Sequence, residues 1–119
     1  MVPRVLEQAM YQYSVELIRV IDGDTVHLMI DLGLDVKVST KCRLFGINAP
    51  EMNTQAGKDA KAFLAEQLAK RDKWTANTIK DKREKYGRYL VSLTDPLGVF
   101  ECVNDAMIQS GHAVRYMAT

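Results

Sequence analysis

Two arginines, three acids and one side-chain amide stand where they could act together. Arg43 and Glu51 bracket the segment RLFGINAPE, with Asn48 and Ala49 between them. Asp22 and Asp24 flank a glycine in VIDGDTV (Val20–Val26), and Arg88 closes KYGR (Lys85–Arg88). A guanidinium is a planar fork that grips two oxygens of an oxyanion at once, which a lysine point charge does not do. A carboxylate on a loop just past a strand end can take a proton from water. Carboxylates at a turn offer the hard oxygen ligands that calcium and magnesium prefer. Each group also has a plainer reading. Arg43 extends a polar strand side that already carries Lys37, Ser39 and Lys41, Glu51 suits the first turn of a helix, and Asp22-Gly23-Asp24 makes an ordinary turn.

The elements that would have to position these groups are legible in the pattern. Tyr13–Ile21 is rich in β-branched and aromatic residues and predicts a strand, with a turn at Asp22-Gly23 and a second strand over Thr25–Ile30. Val36, Val38, Thr40, Cys42 and Leu44 alternate with Lys37, Ser39, Lys41 and Arg43, which predicts a third strand with the first set facing inward and Arg43 outward. Gly46 and Pro50 break the pairing, so Asn48 to Glu51 fall on a loop. From Thr54 to Lys70 the period becomes helical, with Ala60, Phe63, Leu64 and Leu68 on one stripe. Strands over Lys73–Lys80 and Arg88–Thr94 follow. A short helix from about Asn104 to Ser110 is stopped by Gly111, where a left-handed residue is favoured.

This order predicts an α+β, mainly β, fold: a five-stranded OB-fold barrel with a helix between strands 3 and 4 and a short C-terminal helix. A chain of 119 residues, 47% of them hydrophobic, has room for one core. We expect residues 1–12 to form an N-terminal extension and 13–119 a single domain. No signal-peptide or membrane-spanning pattern is present, so the expected location is cytoplasmic, with no membrane partner and no obligate protein partner inferred. Cys42 and Cys102 lack CxxC spacing and read as reduced, buried thiols. The formal net charge is only +1, but it is unevenly spread. Residues 22–35 hold four aspartates and no Lys or Arg, whereas residues 70–88 hold eight Lys/Arg against three Asp/Glu. An acidic locus and a basic one suit a metal beside a bound polyanion, and two solvated faces give the same counts.

Together, in this order and with a helical segment between the second and third, VIDGDTV, RLFGINAPE and KYGR make the chain resemble the thermonuclease family, the calcium-dependent nucleases of the staphylococcal type. The resemblance runs from about Tyr13 to Met117. It implies a calcium-dependent endonuclease that hydrolyses phosphodiester bonds of single- or double-stranded DNA and RNA, leaves 3′-phosphates and has low sequence specificity. It implies Arg43 and Arg88 as phosphate clamps and Glu51 as the base. It also implies Asp24, Asn48 and the Ala49 backbone carbonyl as Ca2+ ligands, with Asp22 just outside them. Lys85 and Tyr86 would contact a neighbouring phosphate and Tyr116 would stack on a base. Asn48 departs from the family, which most often has an aspartate there; an amide oxygen coordinates calcium without adding charge, so weaker binding is expected. The alternative is a non-catalytic OB-fold module that binds nucleic acid or protein through a degenerate metal site.

Overall fold

A computed structural model describes residues 10–83, 88–98 and 101–116. Its strands are β1 (Met10–Asp22), β2 (Thr25–Gly33), β3 (Val36–Leu44), β4 (Ile47–Asn48), β5 (Trp74–Arg83), β6 (Tyr89–Thr94) and β7 (Val114–Arg115). Its helices are α1 (Gln55–Leu68) and α2 (Val103–Gln109). The five long strands close a barrel in the order β1-β2-β3-β6-β5, and β4 pairs with β7 in a separate two-stranded sheet. All barrel pairings are antiparallel except β3 with β6, which is parallel over Cys42–Leu44. This is the five-stranded barrel, with a helix between its third and fourth strands, that the sequence predicts. Strand β1 starts at Met10, so residues 10–12, assigned by sequence to an extension, pair with Asn77–Ile79 of β5.

The barrel is filled by Val26, Leu28, Cys42, Leu44, Trp74, Ala76, Val91 and Leu93. Helix α1 packs against β1 and α2 and adds the stripe Ala60, Leu64 and Leu68 to the core, and α2 adds Val103 and Met107. Phe63 is only partly buried and packs its ring 4.6 Å from that of His112, which gives this histidine a structural place. Thr54 starts α1 by accepting a hydrogen bond from the Gly57 N–H at 3.0 Å, as N-cap residues do. Gly111 follows α2 at φ 82, the left-handed conformation expected of it. Buried Asn104 on α2 ties the end of β3 to β6, donating to the carbonyls of Phe45 at 2.9 Å and Val91 at 3.1 Å.

Two expectations are corrected. Val36 and Val38, assigned inward by alternation, are 49% and 41% exposed. The physical reason is topological: on its second side β3 meets β6 only at Cys42–Leu44, so the far part of the β2–β3 hairpin runs beyond the barrel and has no core to face. The hairpin turns through Leu34 and Asp35, both at positive φ (55 and 63), as a two-residue loop of this hand requires. Of the two cysteines only Cys42 is buried; Cys102 is half-buried at the start of α2, and both thiols are free. Burial pushes the Cys42 thiol up to about 12. No helix among the described residues is long and apolar enough to cross a membrane.

Candidate active site

The site begins at the tight turn between β1 and β2. A Cβ on Gly23 would lie 2.6 Å from the Ala49 Cβ and 2.8 Å from the Ala60 Cβ, so only glycine lets the 49–51 loop and α1 rest on this turn. The turn thereby brings two carboxylates to the foot of that loop. The Asp24 Oδ2 accepts from the Ala49 N–H at 2.9 Å and pairs with Arg43 Nη1 at 3.0 Å, while its Oδ1 accepts from the Thr25 hydroxyl at 3.1 Å. The Asp24 N–H in turn donates to Asp22 Oδ1 at 3.1 Å. Burial and the neighbouring Asp24 push the Asp22 carboxyl above the usual carboxylate range. Burial pushes Asp24 up as well, but its bonds with Asp22, the Ala49 N–H, the Arg43 guanidinium and the Thr25 hydroxyl outweigh this and hold it below that range.

Arg43 leaves the third strand outward as its alternation predicts, then folds back instead of reaching into solvent. Its side chain is 11% exposed. Nη2 donates to the Ile47 carbonyl at 3.0 Å and to Asn48 Oδ1 at 3.3 Å, and the guanidinium carbon lies 5.2 Å from the centre of the Tyr116 ring. The β4–β7 pair and the bond from the Tyr116 N–H to the Gly46 carbonyl, 2.9 Å, hold that ring in place. Arg88, at the entry to β6, donates through Nη1 to the Thr25 hydroxyl at 3.1 Å. A continuous run of polar contacts therefore joins Arg88, Thr25, Asp24 and Arg43, with both guanidinium groups on the same carboxylate locus.

Of the residues singled out by sequence, Asp22, Asp24, Arg43, Asn48, Ala49, Arg88 and Tyr116 meet at this end of the barrel. Glu51 lies two residues beyond Ala49 on the same loop, and it is exposed. Its backbone carbonyl is fixed by the Thr54 N–H at 3.1 Å and hydroxyl at 2.6 Å, while no described contact joins its carboxylate to either arginine. Lys85 and Tyr86 lie outside the described residues. Sequence reasoning missed Thr25, which it read only as a strand position although a hydroxyl beside Asp24 is a ready bridge. It also missed the Ile47 carbonyl, which no sequence signal marks.

The donor set fits a hard divalent ion. Asp24, Asp22, the Asn48 amide oxygen and the Ala49 carbonyl are all oxygen donors, and the bond from the Asp24 N–H to Asp22 Oδ1 keeps the two carboxylates side by side. No three His, Cys, Asp or Glu side chains gather among the described residues. The set thus depends on Asn48 and the backbone for its further oxygens.

Residues 41–119 match the family model described as staphylococcal nuclease homologue. The chain is also 30% identical over 109 residues to Endonuclease YhcR of Bacillus subtilis (strain 168), covering 82% of this chain and 8% of that protein. It is 30% identical over 109 residues to Protein ParB of Escherichia coli, covering 85% of this chain and 56% of that protein. The chain thus spans a small part of the first and about half of the second.

Proposed function

The chain belongs to the family of staphylococcal nuclease homologues, and from that premise we propose that it is a calcium-dependent endonuclease acting on DNA and RNA with low sequence specificity. The observation that carries the proposal is the run Arg88–Thr25–Asp24–Arg43, which gathers two oxyanion forks and a carboxylate at the loop bearing Glu51. In the proposed reaction Glu51 takes a proton from water as the water oxygen bonds to phosphorus. The bond from phosphorus to the 5′ oxygen breaks, that oxygen takes up a proton from solvent as it leaves as a hydroxyl, Glu51 returns its own proton to solvent, and the phosphate stays on the 3′ side. Arg43 and Arg88 hold the non-bridging oxygens, whose charge grows at the five-coordinate stage. A calcium ion held by Asp24, Asn48 and the Ala49 carbonyl, with Asp22 beside them, would supply charge neutralisation at the phosphate.

The test is cleavage of a single-stranded DNA oligonucleotide with calcium and with chelator, followed by phosphatase treatment of the products to identify the phosphate-bearing end. Calcium-dependent products with 3′-phosphates are expected, and absence of cleavage at saturating calcium would sink the proposal. A second reading, a binding-only barrel, is favoured by one observation: Arg43 is already paired with Asp24 beside an uncharged Asn48. It requires salt-sensitive oligonucleotide binding without products.

A further inference from the structure

We infer that Arg19, His27 and Lys41 form a second phosphate-binding row one step along the sheet from the candidate site, so that the preferred substrate is a single strand lying extended along β2, over the face that β1, β2 and β3 share. The inference rests on the nuclease reading above. The register sets Asp22 opposite Thr25 and Thr25 opposite Arg43, which makes these three the site's own row across the strands. The next row on the same face sets Arg19 opposite His27 and His27 opposite Lys41. Val26 and Cys42 between the two rows belong to the core and Val20 packs against it, while β1 takes up one extra residue, Ile21, at a register shift between Val20 and Asp22, so the two rows share the outward face.

The geometry suits an adjacent phosphate. Two residues advance about 6.6 Å along a strand, and neighbouring strands lie about 4.8 Å apart. Long side chains from the outer strands of the row can therefore converge over the central one. Arg19 and Lys41 are exposed, and His27 between them is half-buried with its Nε2 2.8 Å from the Ser39 hydroxyl. One such step is comparable with the reach from a phosphate to its neighbour in an unstacked, extended strand. A stacked duplex turns each successive phosphate about its axis and away from a flat sheet face.

The row is also bounded. Beyond it come Glu16, Met29 and Ser39, and then Ser14, Asp31 and Lys37, in which Lys37 stands directly opposite a carboxylate. Lys37 and Lys73 line one small hollow there with Glu16 and Asp31, so their charge is balanced and the basic track is one phosphate long on this side. Lys37 is an internal control: it has the charge and the strand of Lys41 but not its position.

The experiment compares wild type with Lys41→Ala, Arg19→Ala and Lys37→Ala. Binding of a labelled single-stranded oligonucleotide is followed by anisotropy against salt with calcium chelated. KM and kcat are measured on the oligonucleotide and on the 4-nitrophenyl ester of thymidine phosphate, which has one phosphodiester. Each phosphate contact contributes about 0.7 to the salt slope on a single strand. Lys41→Ala and Arg19→Ala should each flatten the slope by about that amount and raise KM for the oligonucleotide several-fold. Their kcat, and all constants for the nitrophenyl ester, should stay at wild-type values, and Lys37→Ala should match wild type throughout. The row is overturned if Lys37→Ala weakens binding as much as Lys41→Ala, if the ester is affected equally, or if a duplex shows the same loss of slope. If wild type cleaves nothing, the nuclease reading fails while the slopes still decide the row. If cleavage is normal and the slopes of Lys41→Ala and Arg19→Ala equal that of wild type, the row alone fails.

Discussion

Gly57→Ala separates local helix preference from the packing that sets Glu51. By propensity alone, alanine inside a helix stabilises by about 1 kcal/mol relative to glycine. Here a Cβ at position 57 would land on the backbone carbonyl of Glu51 and within 2.9 Å of the Pro50 carbonyl oxygen. Both are backbone atoms and cannot swing aside as a flexible side chain would. To recover the ~3.3 Å at which carbon ordinarily meets a carbonyl oxygen, the 50–51 segment or the first turn of α1 must retreat by more than about 1 Å. That movement strains the two bonds from Thr54 to the Glu51 carbonyl, 3.1 and 2.6 Å. Overpacking costs about 1–3 kcal/mol and the two weakened bonds together about 1 kcal/mol, so the propensity gain is outweighed by roughly 1–3 kcal/mol. At about 4 °C per kcal/mol, Tm should fall by roughly 4–12 °C. Misplacing the proposed base, Glu51, by about 1 Å should lower kcat about 100-fold. Thermal unfolding by circular dichroism and single-stranded DNA cleavage measure the two effects. A variant with raised Tm and wild-type turnover would show that the segment yields without cost and that Glu51 does not depend on this helix turn.

Other outcomes follow from the same site. Glu51→Gln and Arg88→Ala should each lower kcat by about 100-fold or more with Tm little changed, and full activity in either would remove that residue from its role. Asn48→Asp adds a carboxylate to the oxygen set and should lower the calcium concentration for half-maximal cleavage; wild type saturating in the low micromolar range, or no shift in the variant, would refute the weakened site. Cys42, with its thiol pushed up to about 12 from an ordinary 9.0, should resist alkylation at neutral pH in the native protein while Cys102 reacts. The sign of its effect on stability is fixed, because the unfolded thiol ionises first. Cys42 therefore leaves stability unaffected below pH 9 and lowers it progressively between 9 and about 12, as urea unfolding across that range would show.

The barrel was largely written in the sequence because its signals are local. The alternation in Val36–Leu44, the helical spacing of Ala60, Leu64 and Leu68, and turn residues at Asp22-Gly23 and Gly111 each act over a few residues, and the elements formed close to where they were expected. The chemical types at the site were legible in the same way, since Arg43, Asp24 and Arg88 lie in short motifs. What needed the tertiary structure was everything set by neighbours distant in the chain. Val36 and Val38 have the pattern of core residues and are exposed, because burial depends on how far β6 runs beside β3. Gly23 and Gly57 read as turn and helix positions, but the space each leaves is taken by a segment from elsewhere, Ala49 and Ala60 in one case and Pro50 and Glu51 in the other. Arg43 was legible as an outward guanidinium; that it folds onto Asp24, nineteen residues earlier, beneath Tyr116 was decided by barrel closure and the β4–β7 pair. Local pattern fixes which groups a strand presents, and only closure of the chain on itself determines which of them meet.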